Sequence, residues 1–468
     1  MKNKKKIKMP GAVVILFFLL VIMSLLSYII PAGEFERVET ESGRMMVVAD
    51  SFKFVEKNPI SLLDFFASIP QGFVNSSNVI VFNFIIAGAF SVLEKIGLIN
   101  TMVEVLSNKY SNNGNTLIAI LMVVFGLIAA FVGTPELCMV YVPIILPLIV
   151  SLGYNPMIAV AVPLVGTIVG FTAAFTNPFT VGISHQITGL PMFSGMWLRI
   201  IMFVVYIIVG CLYVINYAKK IKVEPELAIN NAKSLGLVSE DLKVNRDGET
   251  VKLTRIQKII GLFFLLSFAY MIYGVLTKGW GMIEMAGIFL AIGIISGIVG
   301  RLDSSQIVDA FLKGMKSVLT GVVLIGVATA VSVILNKSMI MDTIVYYLSN
   351  GLRYLPASLT SIGILFLITI FNFLVPSGSG KALALMPILS PIAEIIGVNQ
   401  QVAVLAYQIG DGLTNVFWPT SGYFMATLEI AKIEYSEWVK FFSKLLSIML
   451  FMGLVFLLVA QAINYGPF

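Results

Sequence analysis

Two short polar stretches interrupt long apolar runs, and they carry the side chains best suited to chemistry. One is Gly133-Thr134-Pro135-Glu136; the other is Ser377-Gly378-Ser379-Gly380-Lys381. Each couples helix-breaking glycine or proline to a hydroxyl and a single charge. Two more breaks lie downstream, at Thr176-Asn177-Pro178 and at Pro419-Thr420-Ser421-Gly422. The second of these follows Asp411, Thr414 and Asn415. Backbone freed from helical hydrogen bonds is tolerated at membrane depth only where it lines a cavity or packs on protein. Four such breaks point to one convergent substrate site. Opened helix N-termini would attract a carboxylate. Freed carbonyls and the hydroxyls of Thr134, Thr176, Ser379, Thr414 and Thr420 would suit Na⁺, with Thr134, Asn177, Ser379 and Asn415 as the candidate surroundings of such an ion.

Ionisable groups at membrane depth are costly and are functional candidates by default. Glu136 and Asp411 would receive an amino or guanidinium group, or carry a coupling proton. Lys381 would meet a carboxylate, or act as a fixed internal cation. The plainer alternatives are that Glu136 and Lys381 pair with each other, and that the small residues only permit close helix packing. Glu94 and Lys95 sit at a span end and would snorkel; Glu394 is a weaker candidate near the outer end of the second stretch. The single histidine, His185, makes no relay by itself and reads as a packing residue. Trp197, Trp280 and Trp438 read as interfacial anchors, and Trp418 lines the cavity or packs beside the second break.

The elements that position these residues recur. Pro143-x-x-x-Pro147 follows the first stretch and Pro387-x-x-x-Pro391 the second, 244 residues later. The same offset carries Gly153 onto Gly397, Asn155 onto Asn399, Ala159 onto Ala403, Gly166 onto Gly410 and Thr176 onto Thr420, while the tips are 245 apart. A duplicated unit of this kind in a membrane chain places the substrate at the repeat interface. The chain is membrane-embedded by composition: of 468 residues 58% are hydrophobic and 12% charged, against about 25% charged in soluble proteins. Its two cysteines exclude a disulfide framework, its one histidine excludes histidine-rich metal sites, and its net charge of +6 does not indicate nucleic acid. The basic residues gather at Lys2–Lys8 and between Lys219 and Lys258, which is the positive-inside signal.

The predicted fold is an all-α polytopic membrane protein with inverted repeats, about nine transmembrane helices and two re-entrant hairpins. Residues 1–218 form the first half, with a hairpin at 115–152 and a broken span at 156–190. Residues 219–255 form a cytoplasmic linker. Residues 256–468 form the second half, with a hairpin at 358–397 and a broken span at 401–432. The arm at 137–152 is short for a crossing of about 20 residues, which favours re-entry. The first apolar run, 11–30, reads as a retained span, with the N-terminus cytoplasmic and the chain in the inner membrane.

The second half, Asn372-Phe373-Leu374-Val375-Pro376-Ser377-Gly378-Ser379-Gly380-Lys381 with Gln408-Ile409-Gly410-Asp411-Gly412-Leu413-Thr414-Asn415, closely resembles the YfcC family. Those proteins are relatives of the C4-dicarboxylate anaerobic carriers within the ion transporter superfamily. Pro31-Ala32-Gly33-Glu34-Phe35-Glu36-Arg37 fits as well. The resemblance implies a two-hairpin carrier with a scaffold and a moving transport domain, commonly a homodimer. The first tip departs from the family pattern, which has two adjacent acids: here Glu136 precedes Leu137.

The function these residues favour is secondary active transport of a small charged metabolite, most readily an amino acid of the arginine/ornithine type, by exchange or by coupling to Na⁺ or H⁺. A Na⁺- or H⁺-coupled C4-dicarboxylate carrier is the alternative. An intramembrane hydrolase using Ser377 or Ser379 with His185 is remote, since nothing in the sequence places that base beside a serine. A channel would need a continuous pore lining. An ATP-driven pump is disfavoured because the sequence has no phosphate-binding Gly-x-x-x-x-Gly-Lys-Ser/Thr loop. No enzyme activity, catalytic residue or organic cofactor is expected.

Overall fold

The computed structural model describes residues 12–39, 45–48, 51–110, 113–238, 252–278, 280–352, 354 and 356–466. The basic N-terminal segment and residues 239–251 of the linker lie outside the described residues. The described chain is almost entirely helical, an all-α polytopic membrane protein.

Helix α1 (Ala12–Ile29) leads into a segment that carries no helix before Leu62 among the described residues. It holds two short antiparallel ladders, β1 (Gly33–Glu34) with β4 (Lys53–Phe54), and β2 (Arg37–Glu39) with β3 (Met45–Val47). Alternation over two or three residues is too brief to signal a strand. The first half continues through α2 (Leu62–Asn75), α3 (Ser77–Lys95), α4 (Leu98–Tyr110), α5 (Gly114–Val132), α6 (Cys138–Ser151), α7 (Pro156–Ala173), α8 (Ile183–Thr188) and α9 (Met196–Ile221). Then come α10 (Pro225–Ser234) inside the linker, α11 (Arg255–Lys278) and α12 (Met282–Val299). The second half runs through α13 (Ser304–Ser317), α14 (Leu319–Lys337), α15 (Ile340–Leu352), α16 (Ala357–Leu374), α17 (Gly378–Ile396), α18 (Gln400–Thr414), α19 (Gly422–Ile430) and α20 (Tyr435–Ala462).

The order α2–α9 recurs as α13–α20, and the shared residues have the same jobs in both. Ser61 and Asp303 begin α2 and α13 with capping boxes closed by Asp64 and Gln306. Asn155 and Asn399 cap α7 and α18 by accepting from Ile158 N and Gln401 N. Gly153 and Gly397 take φ of +87° and +83° just before those caps. Gly166 and Gly410 lie where a Cβ would come within 2.7 Å of Met122 O on α5 and 2.6 Å of Leu365 O on α16. Each broken helix is thus drawn tightly onto the first arm of its own half.

Nine described helices have the length and hydropathy to cross a membrane. The number agrees with the sequence reading, but the membership differs. Gly114–Val132 and Gly378–Ile396 qualify, whereas Val13–Ile29 and Pro135–Ser151 are shorter, and α18 has only 15 residues. Of the two arms, α6 has 14 residues and α17 has 19, so only the first is short for a crossing. Burial orders the bundle: the α7 window is 94% buried and the α11 window 17%. The broken helices α7 and α18 form the centre, and α11 presents an apolar outer surface suited to lipid. Trp438, expected as an interfacial anchor, is instead fully buried; its Nε1 donates to Val416 O at 2.7 Å and its ring stacks on Phe442. Trp197 is exposed, as an anchor would be.

Candidate functional site

Tip one begins where α5 ends. Gly133 adopts φ +72°, and a Cβ there would stand 2.3 Å from Asn177 Oδ1, so only glycine admits the contact with break one. Thr134 is extended, and a turn at Pro135–Leu137 carries Glu136 into α6. Asn177 starts the turn Pro178–Gly182, with Oδ1 accepting from Phe179 N at 2.9 Å and Thr180 N at 3.3 Å. Thr176 ties the break to α5: its N donates to Ala130 O and its Oγ1 to Phe131 O at 3.1 Å.

Tip two forms a more closed structure. Ser377 Oγ accepts from Gly380 N at 3.2 Å and starts α17. Gly378 is pressed between Thr180 of break one and Asp411, with an added Cβ 2.8 Å from Thr180 Cγ2 and 3.0 Å from Asp411 Oδ2. Tyr407 OH donates to Gly378 O at 2.6 Å. Lys381 and Asp411 are both fully buried, and Lys381 Nζ lies 2.5 Å from Asp411 Oδ1. Lys381 Nζ also donates to Asn372 Oδ1. Asn372 Nδ2 in turn donates to Asp411 O at 3.0 Å and to Thr414 Oγ1 at 2.8 Å. Three elements, α16, α17 and α18, are closed around one ammonium group.

The halves are joined directly. Gln408 Nε2 on α18 donates to Phe171 O on α7 at 2.6 Å, and Cys138 Sγ of α6 lies 3.3 Å from Thr427 Oγ1 of α19. A Cβ on Gly412 would sit 2.2 Å from Thr172 Oγ1. Break two is pinned to α16 by Trp418 Nε1, which donates to Thr369 O at 2.9 Å. Trp418 therefore packs as a brace.

Of the candidates from sequence, Gly133 meets Asn177, and Gly378 meets Asp411, which pairs with Lys381; Thr180 bridges the two groups, and Thr134, Pro135, Thr414, Asn415, Thr420 and Ser421 are buried on the same tips and breaks. Glu136 is half-buried on tip one. Ser377 and Gly380 are exposed on the shoulder of tip two, Ser379 is half-exposed, and Thr176 turns its hydroxyl to α5. The suggested pairing of Glu136 with Lys381 does not occur, because Lys381 is taken by Asp411. Among the described residues Glu136 forms no ion pair. Buried polar atoms of this region without a hydrogen-bond partner include Thr134 Oγ1, Asn177 Nδ2, Thr180 Oγ1, Asp411 Oδ2, Asn415 Oδ1, Thr420 Oγ1 and Ser421 Oγ. Each unmade hydrogen bond costs about 1–3 kcal/mol, so such a group of atoms marks a place built for more than packing. The sodium test divides the four suggested surroundings. Thr134 and Asn415 offer unused oxygens, while Asn177 spends its oxygen on capping and presents a donor. Among the described residues no cluster of His, Cys, Asp and Glu could hold a multivalent metal.

Sequence reasoning missed Asn372, Thr180, Tyr407, Gln408 and Arg199 as parts of this framework. Arg199 is the most surprising: it is 1% exposed and donates to the carbonyls of Ser194, Phe193 and Phe175. A lone arginine one turn into an apolar span was the available signal. Its neighbour Gln401 accepts from Ser194 Oγ at 2.7 Å and lies 3.2 Å from Nε2 of the buried His185.

Two curated relatives span nearly the whole chain. One is 27% identical over 99% of this chain and 98% of its own length, a protein of Escherichia coli (strain K12) named "Putative basic amino acid antiporter YfcC". The other, from Haemophilus influenzae (strain ATCC 51907 / DSM 11121 / KW20 / Rd), is 26% identical over 99% of both and carries no functional name. Two solved structures also resemble the chain: the YdaH transporter of Alcanivorax borkumensis and MtrF of Neisseria gonorrhoeae, described as illuminating a class of antimetabolite efflux pumps. Both are 16% identical with a TM-score of 0.45, covering 98% and 99% of this chain and 100% and 98% of theirs, a likeness too loose to bear on mechanism. The family description of the C4-dicarboxylate anaerobic carriers (DcuC) matches residues 9–462, so the chain belongs to that family and is a membrane transporter rather than an enzyme.

Proposed function

We propose that the chain is a secondary active carrier of a small amino acid with a net positive charge, working by exchange or by coupling to H⁺ or Na⁺. One observation carries the reading: Lys381 neutralises Asp411, and Glu136 is left without an ionic partner among the described residues. The tips and breaks then hold one uncompensated negative charge, which suits a monocation or a proton. Glu136 receives the cationic group, and the unpartnered Asn177 Nδ2 at the start of break one offers a donor to the substrate carboxylate. The name of the Escherichia coli relative agrees with a cationic amino acid. The family description names C4-dicarboxylates instead. A dianion would need a free cation at the centre, and the central Lys381 is already engaged.

In this reading the tips between α5 and α6 and between α16 and α17 are re-entrant, the two halves are inverted, and the site at their junction is reached alternately from either side. Na⁺, if it is the coupling ion, would use the free oxygens of Thr134 and Asn415. The protein works in the inner membrane with a cytoplasmic N-terminus, as a homodimer. The test is the melting of purified protein against a panel of amino acids and dicarboxylates, with and without Na⁺. A ligand bound only by the folded state raises its apparent stability. Stabilisation by arginine, ornithine or lysine, followed by saturable counterflow in vesicles, is expected. Stabilisation by succinate or fumarate alone would overturn the proposal.

A further inference from the structure

We infer that the junction of α16, α17 and α18 is a monovalent-cation site whose resident cation is the Lys381 ammonium. The inference does not depend on the substrate class.

Lysine is poorly placed for its own helix. Lys381 is the fourth residue of α17, at the end where the helix dipole disfavours positive charge. Its position is set by the two helices it faces. Asn372 lies in the last turn of α16, which ends at Leu374, and Asp411 lies in the last turn of α18, which ends at Thr414. The negative ends of two helix dipoles and one carboxylate therefore converge on Lys381 Nζ. Interrupted helices in carriers use such ends to hold Na⁺. The groups touching the ammonium are oxygens, Asn372 Oδ1 and Asp411 Oδ1, and Asp411 Oδ2 has no hydrogen-bond partner. Asn372 is oriented by its own donations to Asp411 O and Thr414 Oγ1, so its oxygen is directed at the cation whether that cation is an ammonium or a metal ion. All of Asn372, Lys381, Asp411 and Thr414 are at most 1% exposed.

A tethered cation has a consequence that a free ion lacks: it does not leave when the carrier turns over. Tip two is therefore closed at all times by a covalently attached charge, and the second half needs no dissolved cation to hold its shape.

The experiment removes the tether and offers the ion. Purified Lys381→Ala is melted at constant ionic strength in choline chloride and in increasing sodium chloride, beside the wild type and the double variant Lys381→Ala/Asp411→Asn. Lys381→Ala should melt below the wild type in choline and recover with sodium in a saturable way, by more than any shift sodium causes in the wild type. The double variant, lacking the carboxylate, should show no such excess. Equal destabilisation of Lys381→Ala in both salts would overturn the inference. So would an excess sodium shift that persists in the double variant. Failure to recover Lys381→Ala even when it is expressed and purified in sodium would overturn it as well, since sodium should then replace the missing charge.

Discussion

The Lys381–Asp411 pair should behave as a charge-neutral unit that tolerates removal of both partners better than removal of either. At 2.5 Å the gross attraction is about 7 kcal/mol with an effective dielectric constant of about 20. Desolvating two ions costs several kcal/mol each, so the pair adds little net stability. Removing one partner is different. Asp411→Asn strands an ammonium and Lys381→Met strands a carboxylate at a fully buried position, each at a cost of roughly 3–5 kcal/mol. The double variant strands nothing and should lose only about 0–1 kcal/mol, giving a coupling energy on the order of 6 kcal/mol. The assay is a double-mutant cycle on melting midpoints in detergent at one scan rate, because thermal unfolding of such proteins is usually irreversible. Additive losses in the double variant would refute the buried-pair argument. So would single variants that melt like the wild type, since that would mean water reaches the pair.

Three other outcomes follow from the same geometry. Glu136→Gln should weaken stabilisation by a cationic amino acid by more than about tenfold in Kd, the loss of one charge contact of about 1.4 kcal/mol or more; the variant itself should melt no lower than the wild type, and retained affinity in a ligand titration would count against the site. Gly133→Ala should cost roughly 1–3 kcal/mol, because φ is +72° and the new Cβ would meet Asn177 Oδ1 at 2.3 Å; a melting curve checks the cost, and uptake should fall with it because Asn177 must move. At the start of α2, the Asp64 carboxyl is held below its usual 3.8 chiefly by the hydrogen bond from Lys337, 2.5 Å away, and secondarily by Ser61. Its contribution is therefore present above pH 3.8 and lost as pH falls through the lower folded value, so Asp64→Asn should melt slightly below the wild type at neutral pH, lack that acid limb of the stability profile, and converge with the wild type once the carboxyl is protonated.

The positions that the sequence repeats turn out to be those with a local job. Asn155 and Asn399 are helix caps, Gly153 and Gly397 take positive φ, and Gly166 and Gly410 allow two backbones to touch. Such duties depend on nearby chain, and they leave residue types that a spacing can reveal. Helix order was readable for the same reason: α2 and α13 each begin with a capping box and each has 14 residues. Partner choice was not readable. Whether Lys381 meets Glu136 or Asp411 depends on how three helix ends converge, and every residue involved is equally polar in sequence. The ladders escaped notice because they run only two or three residues, and groups far along the chain help to hold them: Phe35 N donates to Asp342 Oδ2 at 3.0 Å and Arg37 pairs with Asp342 Oδ1 at 2.8 Å, more than 300 residues away. Trp438 was misplaced because a tryptophan near a span start can face lipid or core, and only packing decides.

The 244-residue offset also marks where the two halves differ in charge. Glu136 and Lys381 occupy equivalent tip positions, and the 244-residue offset carries Thr167 onto Asp411. The second half thus places a cation on its tip and an anion on its broken helix, and it neutralises itself. The first half places an anion on its tip and a hydroxyl on its broken helix, and Thr167 Oγ1 is buried without a hydrogen-bond partner. One framework therefore yields a filled half and an open half. In the proposed function the open half takes its positive charge from a proton or from the substrate, at Glu136. A carrier of dicarboxylates built on the same framework would need the opposite arrangement, with a positive tip residue left unpaired. This chain has committed its central lysine to Asp411, and that commitment is the physical reason to expect a cationic cargo.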